Sequence, residues 1–217
     1  TIRTQRSWSG CARYESPNNP RSAIGDEGEM KILEASGFEY AAFYCEENVW
    51  RLLAREELAG WETQAVAVFG RGPRVAVYRQ KRGRPGDGLV LWDYHFFALA
   101  RSGAERFVLD FDTSLPFMMG AREYLETAFP QGKGSASSDP RYAPLFRVMP
   151  GREYLRRLFS DRSHMRRPDG SWLAPPPPWE PPSGAADESW PLASIRSPSG
   201  AGPGLLLGRE GLAALLP

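Results

Sequence analysis

The chain has 217 residues and 24.2 kDa, with 41% hydrophobic and 24% charged residues, an ordinary balance for a globular domain with a sizeable core. A net charge of +1 offers no broad electrostatic footprint for nucleic acid or an acidic membrane, so neither is expected as a partner. No apolar run approaches the ~20 residues of a membrane-spanning helix, and the first ten residues carry basic side chains without the apolar stretch of a secretory signal.

Residues 1–37 read as a polar, loop-rich extension, with a short helix expected over 26–36. Residues 38–217 read as a single domain. Cys45 to Leu53 has Val49, Leu52 and Leu53 at helical spacing and acids in the first turn, the pattern of a helix. The β-rich runs 65–69 and 74–78 flank Gly70-Arg71-Gly72-Pro73 and read as a hairpin. After a turn at 84–88, residues 89–100 form one long apolar and aromatic strand, and 106–112 a second beyond Ser102-Gly103. Residues 121–129 and 151–159 read as helices, with a small-residue loop at 132–140. Eleven of the 20 prolines lie after Arg167, so the chain from about 168 is expected to wrap the domain as an extended segment. Leu205 to Leu207 and Leu212 to Leu216 read as a closing strand and short helix. The class is α+β, a mostly antiparallel sheet flanked by helices.

Cysteines are confined to Cys11 and Cys45, and histidines to His95 and His164. That scarcity argues against a disulfide framework and a four-ligand zinc site, and favours a reducing, cytoplasmic setting (nuclear as well in a eukaryote). Cys45 opens its helix, where the macrodipole and free backbone amides favour a thiolate. A lone cysteine is more often a buried structural thiol, and Glu46 and Glu47 oppose the thiolate, so a cationic partner is needed. His95 is the candidate. A two-residue turn at Ser102-Gly103 pairs positions whose numbers total 205, which sets His95 opposite Asp110 and Asp93 opposite Asp112. An imidazole beside a carboxylate is the base and orienter of a catalytic triad. His164 is the only rival base, and Cys11 lies in a polar segment with no partner in view.

At these residues the chain resembles the protein N-terminal glutamine amidohydrolase family, known also by its Trp-Asp-Tyr-His-Val motif. The matching blocks are Tyr44-Cys-Glu-Glu-Asn-Val-Trp50, Arg84-Pro-Gly-Asp-Gly88, Trp92-Asp-Tyr-His95, Asp110-Phe-Asp-Thr113 and Leu115-Pro-Phe117. Phe146-Arg-Val148, Ser160-Asp-Arg-Ser-His-Met165 and Trp172 to Pro178 continue them, in order, over roughly 40–180. Phe96 replaces the motif's Val, and the two ends match poorly.

The resemblance implies a papain-like cysteine-hydrolase core with the nucleophile at a helix N-terminus. It implies Cys45, His95 and Asp110 as the triad, no metal or organic cofactor, and conversion of an N-terminal Gln to Glu with loss of ammonia. In a eukaryote that product enters the N-degron route. Substrates would be proteins or peptides with a free N-terminal Gln, acted on by a monomer. A carboxylate must read the α-ammonium, and Glu47 and Asp161 are the candidates on charge and motif membership. Asp93 and Asp112 are expected to support the triad from behind. Two alternatives remain open: another thiol acyl-transfer enzyme or internal-Gln deamidase, and a catalytically inactive binding module using the proline-rich tail.

Overall fold

The computed structural model describes residues 31–185, 188–199 and 201–216. The chain divides into Thr1–Lys31 and Ile32–Pro217, and the second unit carries the fold below. Cys11 and residues 26–30 of the expected helix over 26–36 lie outside the described residues; the described remainder is not an α-helix and holds a single 3-10 turn, Ala35–Gly37. Leu33, inside the stretch read as an extension, is buried in the core.

Helix α1 (Cys45–Leu53) leads to the central strand β1 (Glu62–Gly70). Strands β2 (Val75–Val77) and β3 (Val90–Trp92) form a small antiparallel pair. Then come β4 (His95–Ser102), β5 (Glu105–Leu109), β6 (Met118–Gly120), α2 (Ala121–Ala128), β7 (Pro144–Pro150) and α3 (Gly151–Arg157). β8 (Leu158–Phe159) pairs in parallel with β9 (Trp190–Pro191), and α4 (Leu192–Ile195), β10 (Leu205–Gly208) and α5 (Arg209–Ala214) complete the described chain. The main sheet has six antiparallel strands in the order β10-β7-β1-β4-β5-β6.

Strand alternation sorts the core into two layers. Ala65, Ala67, Phe69, Phe96, Ala98 and Leu109 face α1 and α3, through Val49, Leu52 and Tyr154. Val66, Val68, Phe97, Leu99 and Val108 face α2 and α5, through Tyr124, Leu125 and Leu212. β1 is therefore buried on both faces, which its Ala-Val-Ala-Val run permits. The α+β expectation stands, with helices on both faces of the sheet. Among the described residues no helix is long and apolar enough to cross a membrane.

Three local expectations need correction. Residues 65–69 and 74–78 do not form a hairpin. Both edges of β1 are taken by the longer partners β4 and β7, so β2 turns away to pair with β3. The long strand over 89–100 is two strands in different sheets, broken at the exposed Asp93 and the buried Tyr94. The tight turn is Gly103-Ala104, closed by Ser102 and Glu105, because Gly103 takes φ +59 at the first turn position, where glycine is favoured. Paired positions in β4 and β5 thus total 207, two more than expected.

Candidate active site

The site is assembled at the start of α1. Phe43 holds φ +71, an uncommon conformation for an aromatic residue, and the Arg82 guanidinium lies 4.5 Å from its ring centre. Asn48 braces this turn from inside the helix. Its Oδ1 accepts from the Ala41 amide and its Nδ2 donates to the Ala41 carbonyl, both at 2.8 Å. The helix then opens on Cys45, which is buried and free. Burial pushes its thiol well above the usual range, the charges of Glu46, Asp112 and Asp110 add to that, and the Phe96 backbone amide opposes it.

His95 is the first residue of β4 and is buried. Its Nε2 lies 2.9 Å from Asp110 Oδ1. The Trp92 ring stacks on the imidazole at 6.0 Å and 18°, and Trp92 Nε1 donates to Gln80 Oε1 at 3.2 Å. With Nε2 occupied by the carboxylate, Nδ1 is the nitrogen left for proton transfer. Burial pulls the imidazolium down, but the charge and hydrogen bond of Asp110, with the charge of Asp112, prevail and raise it. Burial likewise pushes Asp110 up, and His95, the Tyr124 hydroxyl and the Asp112 amide together bring it below the usual carboxylate value.

Two tyrosines that sequence reasoning did not single out complete this network. Tyr124 of α2 donates to Asp110 Oδ2 at 2.7 Å, and Tyr40 donates to Asp112 Oδ1 at 2.6 Å. Asp110 Oδ1 also accepts the Asp112 amide at 2.9 Å. His95, Asp110 and Asp112 offer atoms within 4.8 Å of one another, the spacing of a metal cluster. Both Asp110 oxygens and Asp112 Oδ1 already accept from protein donors, so the cluster is built as a hydrogen-bond network.

A cavity of about 230 Å³ opens over these groups, lined by Cys45, His95, Asp112, Tyr94, His164 and Asp93, with Phe43, Trp92 and Leu173 among its apolar walls. Leu173 and Ala174 come from the proline-rich segment. That segment is fastened to the start of α1: Tyr44 donates to the Ala174 carbonyl at 3.1 Å, and Trp179 Nε1 to Glu47 Oε2 at 2.9 Å.

Asp112 and the exposed Asp93 both line the cavity. Glu47 and Asp161 do not. Glu47 is buried and clamped by both arms of the Arg162 guanidinium at 2.8 and 2.7 Å, with Ser160 at 3.3 Å. It ties α1 to the 160–179 segment, and no lone pair is left for a substrate cation. Asp161 is exposed and caps the Ser163 amide at 2.9 Å. Sequence reasoning treats Glu46 only as an acid opposing the thiolate. The fold buries it in contact with cavity groups: Oε2 is 3.8 Å from Cys45 Sγ and accepts from the Tyr94 hydroxyl at 3.3 Å. Tyr94 in turn meets His164 Nε2 at 3.0 Å.

A family model described as N-terminal glutamine amidase matches residues 40–192. The chain is similar to proteins named protein N-terminal glutamine amidohydrolase in fruit flies. It is 41% identical to that of Drosophila ananassae over 158 residues, which cover 70% of this chain and 73% of the relative. It is 42% identical to that of Drosophila willistoni over 158 residues, with the same coverage of both.

Proposed function

The chain belongs to the N-terminal glutamine amidase family, and from that premise we propose that it hydrolyses the side-chain amide of an N-terminal glutamine to glutamate, releasing ammonia. The observation that carries the mechanism is the buried His95–Asp110 pair sharing one cavity with Cys45 at a helix start. The core is read as papain-like on the same ground, and the enzyme as a monomer in a reducing, cytoplasmic setting that keeps Cys45 free.

Cys45 is the nucleophile, His95 the base and Asp110 the orienter. Burial and the neighbouring carboxylates hold Cys45 as the thiol, and when His95 is neutral its Nδ1 takes the thiol proton as sulfur attacks the amide carbon. The oxyanion is held by first-turn amides of α1, that of Cys45 included. The imidazolium then protonates the departing nitrogen, and the C–N bond breaks to give ammonia and a thioester. Water, deprotonated by His95, attacks the thioester, and glutamate leaves as the thiol is restored.

Ammonia release from three peptides tests this reading: one with N-terminal Gln, the same peptide N-acetylated, and one with N-terminal Asn. Release from the first alone is the expected result. Release from the acetylated peptide as well would make the enzyme an internal-Gln deamidase, and no release from any would favour a binding module.

A further inference from the structure

Building on the amidase reading, we propose that Glu46 Oε1 is the anchor for the α-ammonium of the substrate. Glu46 is fully buried, and Oε1 receives no hydrogen bond from the described residues. His164 Nε2 approaches it to 3.4 Å without hydrogen-bond geometry, so the lone pairs on that oxygen stay unfilled. A buried carboxylate oxygen left in this state is costly, and a cationic donor arriving with the substrate removes the cost. Tyr94 holds the carboxylate by donating to Oε2, and Tyr154 fixes the backbone by donating to the Glu46 main-chain carbonyl at 3.0 Å.

Position supports the assignment. The Glu46 carboxylate touches Cys45, Tyr94 and His164, all of which line the cavity. The short side chain of glutamine separates its α-nitrogen from its amide carbon, so one group can rest on Glu46 while the other reaches the thiol. Glu46 lies just behind the cavity lining, and the two acids in that lining fit less well: Asp112 already accepts from Tyr40, and Asp93 is exposed, 4.0 Å from Arg196. The pairing also links recognition to chemistry. The Glu46 charge disfavours the Cys45 thiolate, and an ammonium on Oε1 cancels that charge only when a free N-terminus is bound.

The test compares two substrates that differ only in the amine: a Gln peptide, and its des-amino analogue with hydrogen in place of the α-amino group. Wild type should prefer the free amine. In Glu46→Gln that preference in kcat/KM should fall by about 10- to 100-fold, while turnover of the des-amino peptide does not fall. A preference kept in Glu46→Gln, or lost only in Asp93→Asn, overturns the assignment. If Glu46→Gln fails to fold, Tyr94→Phe decides: a reduced preference supports the anchor and an unchanged one overturns it. Equal turnover of both peptides by wild type would instead remove the N-terminal reading itself, and the anchor with it.

Discussion

His95 Nε2 and Asp110 Oδ1 lie 2.9 Å apart although the backbone ladder between their strands ends at Ala98 and Leu109. Beyond Leu109 the chain bends away and the Asp110 amide bonds the Phe117 carbonyl at 3.0 Å. The pair therefore meets on a diagonal, and its geometry depends on side-chain hydrogen bonds rather than on the ladder. Tyr124 supplies one of these bonds from the helix below.

Asp110→Asn removes the charge that steadies the imidazolium. Turnover should drop by about 10⁴-fold, as loss of a triad orienter does elsewhere. Activity near wild type, with Asp112→Asn inactive, would pass the role to Asp112.

The same pair sets a pH window for stability. The folded value of Asp110 is lowered, so its stabilisation is present above 3.8 and lost as pH falls through that lower folded value. The folded value of His95 is raised, so its stabilisation is complete below 6.5 and lost as pH rises through that higher folded value. The Tm difference between wild type and Asp110→Asn should be widest between 3.8 and 6.5 and should shrink on both sides. A gap independent of pH would show that the pair does not titrate this way.

Activity has its own pH signature. His95 must be neutral to accept the thiol proton, so kcat/KM should rise with pH through a value above the ordinary 6.5. A limb at or below that value would mean the carboxylates do not dominate burial at His95.

Cys45→Ala should abolish ammonia release and leave the fold intact, since it removes a single sulfur atom beside the cavity. Circular dichroism checks the fold. Substantial residual turnover would remove Cys45 as nucleophile.

Arg162→Met should be costly for stability rather than chemistry. It leaves Glu47 buried and without its bidentate partner, a loss of about 3–5 kcal/mol by denaturant unfolding. It should also loosen the 173–179 segment from α1 and raise KM. A variant of unchanged stability would contradict the clamp.

Local patterning was enough to place Cys45 at the start of a helix and to mark β4, β5, α2 and α3, because acids, apolar spacing and turn residues act over a few positions. It also brought His95 and Asp110 to one face despite a register two residues off. Side chains alternate with period two, so a slip of two preserves the face while a slip of one would reverse it. What no local signal carried was competition among distant partners. β2 lost its hairpin because β4 and β7 hold both edges of β1, and Tyr124 reaches Asp110 only because α2 packs beneath the sheet. The separate fates of Glu46 and Glu47 are decided the same way. Both are first-turn acids in sequence, but a helix turn points them apart: Glu47 meets Arg162 and Trp179 from a segment over a hundred residues away, and Glu46 turns toward Tyr94, His164 and the thiol. Burial of a charge is settled by whichever distant group arrives to meet it, and only the tertiary structure supplies that group.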